Sequence, residues 1–168
     1  MAEEIINRVA QSKLKVIDLE DYYPLGQRIN LDIKDWLLEG LVLREKDFRA
    51  HVKNHDWEQY QDKYVAVFCS TEAIIPDWAF MLVTSMLQPF VKMSVAGNAD
   101  LLETLLYQKI IDVLDISEYE NLPVIIKGCS QKPVPLNALN GLTSKLIPVA
   151  KSIMYGEACS AVPLYKRK

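Results

Sequence analysis

From residue 63 the apolar and polar positions fall into a regular order. Tyr64 to Phe68 is a continuous apolar run, as in a strand covered on both faces. Pro76 suits the first turn of a helix reaching about Gln88. Apolar residues go nearly all round that helix, which predicts a largely buried element. Val91 to Val95 reads as a second strand. Asn98 suits the N-cap of the next helix, where Leu102, Leu106, Ile110 and Val113 form one stripe with Lys109 and Asp112 turned away. Pro123 to Ile126 is a third strand. The last helix starts near Pro135, with Leu139, Leu142, Leu146, Val149 and Ile153 at helical spacing. Pro148 is expected to kink or break it, and Gly156 to stop it.

The first sixty residues read differently. Val16 to Leu19 and Arg28 to Ile33 look like short strands, with Pro24 and Gly26 between them. They are expected to pair at a sheet edge. Lys34 to Glu39 suits a short helix ending at Gly40, and Arg44 to Asn54 a longer one. Asp56 resembles an N-cap with Gln59 as its capping-box partner. No internal repeat or long linker is visible. The pattern predicts one α/β domain: N-terminal strands and helix over 1–60, β-α units over 61–156, a tail over 157–168. Strands alternating with helices argue for a mainly parallel three-layer sheet. The order expected for the three regular strands is second-first-third. Val65, Val67, Leu82, Leu106, Ile110, Ile125, Leu142 and Leu146 are the expected core.

Composition narrows the classes of function. Half of the 168 residues are apolar and the net charge is −3, so no global field draws the chain to nucleic acid or an anionic membrane. The basic end, Lys166-Arg167-Lys168, reads as a solvated tail. The start, Met1-Ala2-Glu3-Glu4, is not that of an export signal. The apolar stretch from Trp78 to Leu87 is too short for a bilayer span of ~20 residues. A cytoplasmic protein with reduced thiols is expected, and three cysteines argue against a disulfide framework.

The candidate chemistry lies in those cysteines. Cys69 ends the first regular strand and Cys129 follows the third. In the order second-first-third these two strand ends are neighbours at the crevice where open sheets bind ligands. Cys159, in the tail, can fold over them. Three thiolates suit zinc, or an iron–sulfur cluster with one iron open, and water or Glu157 would complete the shell. The plain alternative is three buried thiols. No two are at CxxC spacing. A nucleophilic Cys129 at a helix N-terminus, aided by Lys127, is a further reading, and its only imidazole partners are His51 and His55. Those two stand four apart with Asp47 four before, a metal-compatible spacing, but near a helix end where histidine also serves as a surface or capping residue. No phosphate-binding glycine motif or nucleophile elbow occurs.

Five stretches also carry a resemblance. They are Asn7-Arg8-Val9-Ala10; Leu43 to Arg49; Phe68-Cys69-Ser70-Thr71 with Ala73 to Pro76; Lys127-Gly128-Cys129 with Lys132 to Pro135; and Ser152 to Glu157 running into Cys159-Ser160 and Val162 to Tyr165. Together they resemble domain of unknown function 2480, an uncharacterised bacterial family typical of Bacteroidetes, over nearly the whole chain. The family has proline where this chain has Ala158, an exchange that loosens the tail and keeps the sulfur. The resemblance implies a setting near iron–sulfur assembly proteins, and all three cysteines fall inside its motifs. Two functions follow as expectations. One is a metal- or cluster-binding accessory protein on Cys69, Cys129 and Cys159. The other is a non-catalytic interaction module, a homo-oligomer with structural cysteines. A thiol enzyme is the third.

Overall fold

The structure, a computed structural model, describes residues 13–128, 131–157 and 159–168. They form a mixed α/β fold with four α-helices and two mainly parallel sheets. The chain divides into two compact units. One is Leu25–Leu105, and the other joins the residues up to Pro24 with Leu106–Lys168. The first is therefore an insertion in the second, and the two are called here the inserted and the split unit.

The split unit begins with β1 (Lys15–Ile17). The inserted unit follows, with β2 (Arg28–Asp32), α1 (Glu45–Asn54), β3 (Tyr64–Phe68), α2 (Asp77–Leu87) and β4 (Met93–Ala96). Its sheet has the order β2-β3-β4, all parallel, and α1 and α2 supply the crossovers that parallel neighbours need. Phe48 and Val52 of α1 and Ala79, Val83 and Leu87 of α2 pack with Leu31, Val65 and Val67 into one core. The unit boundary falls inside α3 (Ala99–Val113). Then come β5 (Pro123–Ile126), α4 (Leu136–Leu146), β6 (Ser152–Glu157) and β7 (Ser160–Lys166). This sheet runs β1-β5-β6-β7, with only the β6–β7 pair antiparallel. Ile17, Tyr107, Ile111, Val124, Ile126, Leu142, Leu146 and Ile153 make its core.

The two units repeat one plan at a constant offset of 59 residues. The one-turn 3-10 helices Glu58–Tyr60 and Ser117–Tyr119, the strand starts Tyr64 and Pro123, and the helices Asp77–Leu87 and Leu136–Leu146 all obey it. Single hydrogen bonds do too. The N–H of Asp62 donates to Phe90 O at 2.8 Å, and that of Asn121 to Val149 O at 2.9 Å. Asp62 and Asn121 are both left-handed, with φ of 58° and 57°. Pro76, Ala79, Thr84, Ser85, Leu87, Pro89, Lys92 and Gly97 recur as Pro135, Ala138, Thr143, Ser144, Leu146, Pro148, Lys151 and Gly156. An internal repeat is present where the pattern of the sequence shows none, because the copies share burial more than identity. Phe48 and Val52 stand where Tyr107 and Ile111 do, all buried.

Other expectations are also corrected. The three regular strands do not share a sheet: β3 and β4 are in one and β5 is in the other. Each sheet instead takes its own early strand. β1 and β2 do not pair with each other but lie parallel to β5 and β3. Helix α4 ends at Leu146, and Ser152–Glu157 is a strand. Pro148 cannot continue the helical hydrogen bonds, and Ile153 reaches the core from β6 instead. Gly156, with φ of 126°, lies within that strand. The tail is strand β7. Residues 34–36 form only a 3-10 turn. Asn98 does cap α3, its Oδ1 accepting from Leu101 N at 3.0 Å. The α3 stripe rotates toward Tyr107 and Ile111, leaving Val113 exposed and Ile110 half-buried. Leu82 is half-buried as well, while the other six expected core residues are buried.

Candidate functional site

The β3 run ends at Phe68, and the loop after it is pinned at two points. At the end of β2, Asp32 accepts the N–H of Ser70 at 3.1 Å and of Lys34 at 3.0 Å. Burial pushes the Asp32 carboxyl up, but hydrogen bonds from the Ser70 side chain and from these two N–H groups outweigh it and hold the group below the ordinary range. Thr71 Oγ1 donates to Gly40 O at 2.7 Å and lies 3.2 Å from the Cys69 sulfur. Beside this loop, at the carboxyl edge of the inserted sheet, opens a cavity of about 460 Å³ walled by Val67, Cys69, Thr71, Phe80, Ala96 and Gly97, among others. The Cys69 thiol is the only ionisable group among the residues lining it. Most of the residues lining it are apolar.

At the matching edge of the split unit the described residues include an aromatic ring and a charged pair. Tyr155 stands where Ala96 does, since Ile126 faces Tyr155 in register as Val67 faces Ala96. Its ring lies over Gly128, where a Cβ would come within 3.1 Å of Tyr155 Cζ, and its hydroxyl donates to Gly128 O at 3.3 Å. Lys127 Nζ donates to Asp18 Oδ2 at 2.7 Å. That bond raises the Lys127 pKa. For Asp18, burial pushes up, and the Lys127 and Glu20 hydrogen bonds outweigh it.

The strand order from which the cysteine site was expected is not the one observed. Cys69 follows β3 and Cys129 follows β5, and these strands lie in different sheets, so strand adjacency no longer makes the two neighbours. Cys69 is half-buried and Cys159 is exposed in the β6–β7 turn. Cys129 lies outside the described residues, so the reading of it as a nucleophile does too. Among the described residues no three His, Cys, Asp or Glu side chains are grouped to hold a metal.

The histidines belong to an aromatic cluster. His55 follows the last turn of α1 with extended backbone. Its Nε2 is 2.8 Å from Tyr60 Oη, and its ring centroid is 4.7 Å from that of Trp57 and 5.1 Å from that of Trp36. Burial lowers its pKa, against an upward pull from Asp56. His51 lies parallel to Trp36, and Asp47 pairs with Arg44 at 3.1 Å. Asp56 accepts from Glu58 N, while the Gln59 amide returns to Asp56 O rather than to its N–H. These contacts order the α1 end.

Sequence reasoning missed one surface. From Trp78 to Val91 no residue is charged, and the expectation was burial. Only Ala79, Val83 and Leu87 of α2 are buried, and Met81 is 70% exposed. Phe80, Met81, Thr84, Ser85, Gln88 and Ala96 line an apolar groove of about 380 Å³ beside β4. Among the described residues β4 has β3 on one side and no strand on the other. The charge-free run was the signal that could have located this face. No described helix is long and apolar enough to cross a membrane.

A family model described as protein of unknown function (DUF2480) matches residues 3–167. No curated protein and no solved structure matches the chain.

Proposed function

The chain belongs to the DUF2480 family, and we propose that it is a non-catalytic interaction protein that assembles with a second copy of itself through β4 and α2. The observation that carries this reading is the β4 edge. In the split unit the equivalent strand, β6, is covered by the antiparallel β7. The outer strand β7 carries Pro163 and Lys166, residues that discourage further pairing. The β4 edge has neither device: Met93-Ser94-Val95-Ala96 holds no charge and no proline. Beside it lies the uncharged α2 face. A surface without charge of either sign does not repel its own copy, and a twofold axis places the same patch on both sides. Two β4 strands pairing antiparallel would join the two three-stranded sheets, with Met81 of each chain entering the groove of the other.

Sedimentation velocity tests this. The wild type is expected to be a dimer at roughly 100 μM. Met81→Glu, a change at an exposed position, should weaken the dimer at least ~tenfold, about 1.4 kcal/mol, with the melting temperature of the monomer kept. A wild type that stays monomeric, or a dimer indifferent to the change, overturns the proposal. The competing reading places zinc or an iron–sulfur cluster on Cys69, Cys129 and Cys159, with iron–sulfur assembly proteins as partners. No observation among the described residues supports it. Metal bound stoichiometrically in anaerobically purified wild type and lost in Cys129→Ser would favour it over the interaction reading.

A further inference from the structure

We infer that the cavity beside Cys69 is a binding site for a single phenol-type ring. The split unit shows what this place in the fold accommodates. There the Tyr155 ring lies at the carboxyl edge of the sheet, its edge atoms 3.1–3.2 Å from the Cβ position of Gly128 and its hydroxyl 3.3 Å from Gly128 O. In the inserted unit the same register position holds Ala96, and the space stays open as a cavity of about 460 Å³. Cys69 occupies the place of Gly128 at the common offset. Its side chain takes back less volume than the tyrosine gives up. A free ring is not tethered to the strand, so it can stand off from the Cys69 sulfur at the distance sulfur–aromatic contacts prefer, ~5 Å.

The lining suits that occupant. Val67, Phe80 and Ala96 offer apolar and aromatic contact, and Gly97 leaves room. Sites of this kind are mostly apolar with a few placed polar groups. No charged group lines the cavity, so a neutral ring is favoured over a carboxylate or phosphate, whose burial without a counter-charge is costly. The site shares Phe80 and Ala96 with the α2 groove, while Met81 lines only the groove, so Met81→Glu separates the two proposals.

The test titrates p-cresol, the free side chain of tyrosine, into the labelled full chain and follows amide shifts by NMR. Saturable shifts at Cys69, Thr71, Phe80 and Gly97 are expected, with a Kd on the order of 1 mM for so small a ligand. Ala96→Tyr should fill the cavity from within and weaken binding at least ~tenfold. Cys69→Gly should let the ring sit deeper and tighten it. Met81→Glu should leave it unchanged. The proposal is overturned if p-cresol leaves these amides unmoved, if it spreads over the α2 groove instead, or if 4-methylcyclohexanol binds equally well. It is overturned too if a folded Ala96→Tyr chain, with wild-type dispersion of its spectrum, binds as the wild type does.

Discussion

The inserted and split units share a plan of three parallel strands with matching helices and turns, yet they treat two places in opposite ways. In the split unit β7 covers the sheet edge and the Tyr155 ring lies at the end of the sheet; in the inserted unit no described strand covers the edge, and Ala96 lines a cavity. What they keep alike is the packing between helix and sheet. Ala79, Val83 and Leu87 answer to Ala138, Leu142 and Leu146, all buried. The comparison separates what the fold needs from what one copy is free to use. Close packing punishes changes at the first set, whereas the second set differs without cost to the plan.

The sharpest way to break the comparison is at its shared anchors. Phe48 and Tyr107 are both fully buried at equivalent positions. Phe48 packs edge-on against Trp36 and Trp78, with ring centroids 5.7 and 5.8 Å away. Phe48→Ala should cost ~3–5 kcal/mol, the usual range for a buried phenylalanine. Tyr107→Phe keeps the ring and removes the hydroxyl with its bond to Leu19 O at 3.2 Å, so about 1 kcal/mol is expected. All three tryptophans, Trp36, Trp57 and Trp78, lie in the inserted unit. Tryptophan fluorescence during denaturation therefore reads that unit, and a Phe48→Ala midpoint close to the wild type would end the claim that these two side chains are matching anchors.

A smaller effect sharpens the equivalence of Ala96 and Tyr155. Ala96→Tyr alone meets Cys69 where Tyr155 meets Gly128, and overpacking of this kind costs ~1–3 kcal/mol. Cys69→Gly with Ala96→Tyr recreates the pair of the split unit. The double variant should be more stable than the sum of its parts by at least ~0.5 kcal/mol, a coupling typical of residues in contact. Additive effects in urea denaturation would show that the two positions do not meet.

Much of this fold was legible in the chain and some was not. The β3 run, the Asn98 cap and the α4 start were readable because each rests on local chemistry. The extension of α4 to Ile153 was misread because Leu146, Val149 and Ile153 keep helical spacing across a proline, and spacing alone does not say that the chain has turned. Sheet membership was hidden for a different reason. Alternating strands and helices say that strands are parallel, not which early strand each will join. The repeat was hidden because its copies exchange Phe for Tyr and Val for Ile or Leu at buried positions. The candidate cavity had no motif to read, since Ala96 makes it by being small. The cysteines were visible in the sequence, but the argument that gathered Cys69 and Cys129 rested on a strand order the structure does not have.

A subtler contrast lies at two left-handed residues in equivalent places. Asp62 and Asn121 carry φ near 58°, where a side chain is strained and glycine is not. Asp62→Gly should therefore stabilise by about 0.5 kcal/mol. Asn121→Gly should gain less, because Asn121 Oδ1 also accepts from Arg167 at 2.8 Å. Equal gains in thermal melts would mean that the Arg167 bond contributes nothing in solution.

The least effect expected is one of pH, and it has no counterpart in the split unit, where Leu114 stands at the place of His55. Burial against Trp36 and Trp57 lowers the His55 pKa in the folded chain, while Asp56 pulls weakly the other way. The unfolded chain keeps the ordinary value of about 6.5. Above that value the imidazole is neutral in both states, so nothing is lost. Below it the unfolded chain binds the proton more readily than the folded one, and stability falls with pH until the folded pKa is passed. The neutral ring also has a partner to lose, because its Nε2 is 2.8 Å from the Tyr60 hydroxyl. His55→Gln supplies a side-chain oxygen for that hydroxyl but cannot titrate. Its urea midpoint should therefore depend less on pH below 6.5 than that of the wild type, with the two curves running parallel above it. Parallel curves throughout would mean that the aromatic cluster does not disfavour the charged ring, and that His55 is a solvated residue at the end of α1.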